Sequence, residues 1–174
     1  MNKYNATDTN NNVDSVYVQE MLTMKVFLSI NEVGQNIKQN LERWISKHTE
    51  GRCIPEGFIK PNSVKVETYS CGTVNGDSIE FQTVFVCMIC HPVEGMTINC
   101  DVKTITKAGV HAEVTDQTGV VPLVVFIARD HHYTSKEFAD IKENDKITVK
   151  VIGIRYELND PYICTIAQLT NLEK

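Results

Sequence analysis

Hydrophobic positions change their period twice along this chain. Residues 1–18 (MNKYNATDTNNNVDSVYV) are rich in Asn, Thr and Asp and hold few aliphatics before Val16. Such a stretch buries too little apolar surface to offset the entropy of ordering, and the pattern predicts a disordered tail. Residues 24–28 then form a short apolar run that reads as a strand, followed by Ser29-Ile30-Asn31-Glu32. That S-x-x-E spacing is a capping box, so a helix is expected to start there. Val33, Ile37, Leu41, Trp44 and Ile45 recur every three or four residues, which gives one apolar stripe for packing on a sheet. The helix should run to about residue 48 and stop at Gly51.

From Gly51 onward the period is that of strands. Residues 53–59 contain Pro55 and Gly57 and should be irregular or an edge strand, and residues 64–69 alternate. Asn75-Gly76 between two short runs is a tight-hairpin signal, and it leads into a long strand over 79–90. Pro92 and Gly95 punctuate the chain, which places a boundary there: tail 1–18, first domain 19–92, second domain 93–174. In the second domain the alternation predicts strands over 96–106, 110–115, 120–128, 146–156 and 162–169, with a helical or looped insertion at 135–141. Five strands with that insertion between the third and fourth suit a small Greek-key barrel, and the phase shift at Ile152-Gly153-Ile154 suits a glycine bulge at a barrel corner. The fold class is therefore α+β.

Composition narrows the chemistry. The net charge is −5, spread as 8 basic against 10 acidic residues in 1–93 and 9 against 12 in 94–174. No basic stripe advertises nucleic acid, so any RNA attraction must be local, weak and salt-sensitive. There is neither an export signal nor an apolar run of membrane-spanning length, so the chain is expected to be intracellular, not secreted, with its six cysteines reduced.

One stretch, Cys87-Met88-Ile89-Cys90-His91, has the C-x-x-C-H form of haem attachment or a zinc site. In a strand, however, positions i and i+3 point to opposite faces, and no turn-forming residue separates the two cysteines. The expectation is buried strand thiols, with no metal and no cofactor. His131-His132 beside Asp130 is expected to be solvated loop rather than a catalytic pair. Walker loops, nucleophile elbows, H-E-x-x-H and dinucleotide fingerprints are absent, so no catalytic residue is assigned.

The order of parts, strand–helix–sheet and then barrel, brings a family into view. Glu50-Gly51-Arg52-Cys53, Gly57-Phe58-Ile59, Gly72, Gly76, Glu80-Phe81 and Pro92-Val93-Glu94-Gly95 in the first half carry the resemblance. Val102, Gly109-Val110-His111-Ala112-Glu113-Val114 and Pro122-Leu123-Val124-Val125-Phe126-Ile127 carry it in the second. Over about residues 24–169 the chain resembles the stalk subunit of DNA-directed RNA polymerases, that is, the seventh subunit of eukaryotic RNA polymerase II and its archaeal counterpart. The resemblance implies a truncated ribonucleoprotein-like tip domain that docks on the polymerase core near the clamp, followed by an OB-fold barrel near the RNA exit path. It also implies a small helical partner subunit, contact with nascent single-stranded RNA during transcription and its initiation, and no catalysis by this chain. A nuclear location follows if the host is eukaryotic; a virion or cytoplasmic factory follows if the source is viral. The abundance of Asn and Ile fits AT-rich genomes, including large DNA viruses.

For RNA, the positions matching the family's stacking groups are Ala108 and His111, with Phe126 nearby but read more readily as core; Lys103, Lys107, Arg129 and Lys150 could supply local phosphate contacts, although solvated surface charge is the commoner reading of each. For docking, the candidates are Phe58 and Ile59, which could also pack under the helix stripe, and the hairpin residues Gly72, Thr73, Asn75 and Gly76. The rival reading is a free-standing OB-fold RNA-binding protein acting in translation or RNA decay. Such a protein would have less need of a helix-on-sheet module.

Overall fold

The computed structural model describes residues 16–132 and 136–173. Its first half is built around one long central strand, β6 (Ser78–Cys90). β1 (Tyr17–Ser29) pairs antiparallel with β6 along its whole length, from Tyr17↔Cys90 to Ser29↔Ser78. The other edge of β6 is shared in succession by β5 (Thr73–Asn75), β4 (Lys65–Tyr69) and β3 (Gly57–Ile59), with β2 (Cys53–Ile54) beyond β3. The strand expected at 24–28 is thus longer than its apolar run. Tyr17 and Val18, read from sequence as the end of a disordered tail, open β1 instead, because β6 offers them a complete backbone ladder that outweighs their polar neighbours. Residues 1–15 of that expected tail lie outside the described residues.

The capping box forms but starts no long helix. The Glu32 carboxylate accepts from the Ser29 amide at 3.0 Å and from its hydroxyl at 2.9 Å. Only one 3-10 turn, Ile30–Glu32, follows, since Val33 turns extended and Gly34 offers no helical preference. The α-helix proper, α1 (Ile37–Thr49), carries the expected stripe. Leu41 and Ile45 are fully buried against Val26, Leu28, Val66, Phe85, Cys87 and Ile89, with Ile37 and Trp44 packed at the margin. Two acidic side chains then fasten the sheet to the helix. Glu50 Oε1 accepts from the amides of Ser63 and Val64 at 3.0 and 2.9 Å, and Glu42 Oε2 from that of Val66 at 3.0 Å. Backbone donors that would be left over where β4 begins are satisfied this way.

The second half is a closed barrel of five strands: β7 (Thr97–Ile105), β8 (Gly109–Val114), β9 (Leu123–Ala128), β10 (Lys146–Arg155) and β11 (Ile163–Glu173). Its order around the ring is β7-β8-β9-β11-β10, with β9 and β11 parallel and β10 closing on β7. This is the OB-fold arrangement. Val102, Ala112, Val125, Ile127, Val149, Ile163 and Ala167 fill it at every second position. The register slips between Val151 and Gly153, so Ile152 is the extra residue of the bulge that the glycine signalled. β9 begins at Leu123 rather than 120, because the Asp116 amide donates to the Val120 carbonyl and prolongs the turn.

Between β9 and β10, a 3-10 turn (Arg129–His131) and a four-residue helix, α2 (Lys136–Ala139), bring Phe138 and Ile141 over the barrel core. His132 belongs to this cap and corrects the solvated-loop expectation. It is 7% exposed, its Nδ1–H donates to the Ala128 carbonyl at 3.0 Å, and its Nε2 accepts from the Leu169 amide at 3.0 Å. That pair of bonds selects the Nδ1–H tautomer, and the ring stacks on Phe138 at 4.9 Å.

Tyr17, Cys53, Phe58 and Cys90 pack with the barrel core, so the two halves meet through apolar contact. Around this seam the backbone of Cys53 exchanges two hydrogen bonds with the β10–β11 loop, its amide donating to Asp160 and its carbonyl accepting from Asn159, both at 2.8 Å. The Tyr156 hydroxyl donates to the Pro55 carbonyl at 2.8 Å. Gly57 is required here: its φ is +141°, and a Cβ would lie 2.4 Å from the Cys90 carbonyl oxygen.

Candidate nucleic-acid interface

The C-x-x-C-H string divides between the two cores. Cys87 lies in the cluster under α1, Cys90 in the cluster under the barrel, and His91 is exposed. Alternation along β6 puts the thiols on opposite faces, where one ion cannot reach both. Burial pushes Cys87 up to about 11, helped by the fields of Glu20, Glu50 and Glu56, and pushes Cys90 up to about 12. Among the described residues no three His, Cys, Asp or Glu side chains gather as a metal site.

On the barrel, inward alternation of Leu123, Val125 and Ile127 turns Phe126 outward, where it is half-buried rather than part of the core. The register sets Thr104, His111, Phe126 and Ile166 side by side across β7, β8, β9 and β11. The His111 and Phe126 rings stand 4.8 Å apart at 48°. Gly109 makes room for this pair: a Cβ there would sit 2.2 Å from the Ile127 carbonyl oxygen and 3.0 Å from Phe126 Cζ. Ile166 extends the row as an exposed apolar neighbour, 48% accessible, that the sequence reading did not single out. Its signal was present in the alternation of β11, but an isolated Ile carries no chemical mark.

The basic candidates fall unevenly around this row. Lys103, at the bulge of β7, and Lys107, in the β7–β8 turn, are exposed beside it. Arg129 is exposed yet engaged: Nη2 donates to the Thr106 carbonyl at 3.3 Å, and the guanidinium lies 5.5 Å over the Phe138 ring. Lys150 is exposed on β10 and separated from Phe126 by β11, so it is not part of the same cluster. The β10–β11 loop is occupied by its bonds to Cys53. The open part of the face is therefore β7–β9 with the β7–β8 turn, an aromatic pair flanked by two exposed lysines.

The docking candidates separate as sharply. Phe58 and Ile59 are 1% and 0% exposed, so their side chains offer a partner no surface: Ile59 packs under the helix, the alternative that its sequence allowed, whereas Phe58 packs with the barrel core. Gly72, Thr73, Asn75 and Gly76 are all exposed in the β5–β6 hairpin, whose two-residue loop is Gly76-Asp77, with Gly76 at φ +60°. Gly72 lets the chain cross closely over the sheet, since a Cβ would meet Ile79 Cγ2 at 2.5 Å and the Phe81 ring at 2.9 Å. Val74 lies inside the Cys71–Asp77 hairpin expected to dock but was not singled out there, and it is 73% exposed. A β-branched residue at a hairpin tip was the signal.

No protein-family model matches the chain. A protein of Acanthamoeba polyphaga mimivirus, named "Putative DNA-directed RNA polymerase subunit L376", is 23% identical over 168 residues, covering 91% of this chain and 84% of its own length. The similarity runs through both halves and supports kinship with RNA polymerase subunits at that level, without specifying which subunit.

Proposed function

We propose that this chain is a non-catalytic stalk subunit of a multisubunit DNA-directed RNA polymerase. Its first half docks on the core through the β5–β6 hairpin, and its barrel contacts nascent RNA. The observation that carries the reading is the similarity to the mimivirus polymerase subunit across both the helix-on-sheet unit and the barrel. A free OB-fold RNA binder would account for the barrel alone.

The geometry supports the RNA role in kind and limits it in strength. His111 and Phe126 offer a stacking surface, and stacking contributes about 1–3 kcal/mol per base. Lys103 and Lys107 supply local phosphate attraction against an overall charge of −5. Two phosphate contacts give a shallow salt dependence, so binding in isolation is weak, and tethering beside the exit path supplies the effective concentration instead. Docking through Gly72–Gly76 places the exposed Val74 at the contact, where an apolar tip finds a pocket in a partner.

The test is affinity purification of the tagged chain from its native source at moderate salt, followed by mass spectrometry. Recovery of the two largest polymerase subunits in near-equal amounts is the expected result. Recovery of ribosomal proteins or nuclease subunits in their place would overturn it in favour of the free-standing binder.

A further inference from the structure

The barrel is closed and has no edge, but the first sheet has a long one. β1 pairs with β6 through all 13 residues without a register shift, and no strand among the described residues pairs with its other side. Edges of this kind are normally blunted by proline, a bulge, brevity or charge. β1 has no proline and no bulge, and its charged residues are Glu20 and Lys25, of which Lys25 is held by Glu80 of β6 at 2.9 Å. Val18, Met21 and Phe27 stand 59%, 65% and 41% exposed along it.

We propose that the outer edge of β1, residues 18–28, receives an extended segment of another polymerase subunit, which adds a strand to the sheet and carries a basic side chain opposite Glu20. The identity of the partner as a polymerase subunit rests on the reading above. A row of alternating N–H and C=O groups is matched by another extended backbone and by nothing in a nucleic acid or a closed helix. The sign of the partner follows from Glu20, the one carboxylate of β1, whose side chain is exposed at this end of the strand.

A second copy of this chain fits poorly. In a two-fold antiparallel pairing with like faces aligned, residues of the same parity stand opposite each other. Glu20 would then meet another Glu20 or one of Val18, Leu22, Met24, Val26 and Leu28, never Lys25. Self-pairing sets a carboxylate against apolar groups or its own like, which disfavours it.

Amide hydrogen exchange on the full chain, alone and within the affinity-purified polymerase, tests this. In the free chain, every second amide from 18 to 28 should exchange fast; in the complex, that set should slow by about a hundredfold while the amides bonded to β6 stay unchanged. Unchanged exchange in a complex that retains the largest subunits would overturn the proposal and leave the polymerase reading intact. Loss of those subunits altogether would sink both. Protection already present in the free chain would mean that the edge is filled by this chain's own residues or a second copy, which also overturns it. Two variants guard against trivial unfolding. Met21→Pro and Leu22→Pro remove neighbouring amides that point in opposite directions, so one breaks the β6 ladder and the other folds. The folded one, and Glu20→Arg, should each lower the recovered partner about tenfold at moderate salt; undiminished recovery by both would contradict the proposal.

Discussion

The Lys60 ammonium, on the first sheet, lies 3.8 Å from the Asp116 carboxylate in the β8–β9 turn of the barrel. The same ammonium sits 4.9 Å over the Tyr17 ring, so one side chain spans the seam between the two halves. Asp116 is 5% exposed, and its Oδ1 accepts from the Thr118 hydroxyl at 2.6 Å and from the amides of Thr118 and Val120 at 2.8 and 3.0 Å. Burial raises its carboxyl, but those three bonds and Lys60 together hold it below the usual value. A depressed carboxyl contributes stability that is fully present above about pH 4 and is lost as pH falls through the folded value. Thermal melts should therefore be flat in this respect above pH 5 and decline below pH 4. Asp116→Ala, which leaves three donors and an ammonium without their acceptor, should cost about 2–4 kcal/mol and remove part of that acid dependence.

Phe126 and Val125 are neighbours with opposite duties. Phe126→Ala should lower affinity for single-stranded RNA by about 1–3 kcal/mol per stacked base while costing stability no more than about 1 kcal/mol, because the ring is only half-buried. Val125→Ala, in the barrel core, should do the reverse, costing about 1–2 kcal/mol of stability with RNA affinity retained. Fluorescence anisotropy with a labelled oligonucleotide, run beside chemical denaturation, separates the two effects.

Thr83 is fully buried under α1, and its hydroxyl has no hydrogen-bond partner among the described residues. Replacing it with the nearly isosteric valine removes an unsatisfied group. Thr83→Val should stabilise the protein by about 1 kcal/mol, read as a higher denaturant midpoint with unchanged slope.

The thiols divide four to two: Cys53, Cys87, Cys90 and Cys100 are buried, Cys71 and Cys164 exposed. Burial pushes Cys53 and Cys87 up to about 11 and Cys90 and Cys100 up to about 12. A thiol-reactive probe at neutral pH should label two cysteines in the native protein and six after denaturation. Because the folded state keeps protons that the unfolded chain releases, stability is unaffected below about pH 8.5 and falls as pH rises toward 11. Melts taken between pH 8 and 10.5 should show that fall, about 2 kcal/mol per thiol at pH 10.

Much of this architecture was legible because it rests on local patterns. Strand alternation, the helix stripe, the turn residues Gly76 and Gly119 and the bulge glycine Gly153 mark their elements without reference to the rest of the chain. What was hidden depends on partners distant in sequence. β1 begins at Tyr17 because β6 supplies a ladder more than sixty residues away, and the Ser29 box yields one turn because Val33-Gly34 breaks it. Phe126 reads more readily as core than as platform until the alternation of β9 turns it outward beside Gly109 and His111. His132 looks like loop until Leu169 arrives with an amide for its Nε2. Phe58 and Ile59 look available until the sheet and the barrel are both assembled over them.

The measurement that bears most directly on the central claim is photo-crosslinking of 4-thiouridine-labelled nascent RNA in elongating polymerase purified through this chain, with the adducts mapped by mass spectrometry. Crosslinks are expected on β8 and β9 peptides containing His111 or Phe126, and they should be lost in the Phe126→Ala, His111→Ala double variant while the chain remains in the complex. Transcripts that crosslink the large subunits but never this barrel would contradict it.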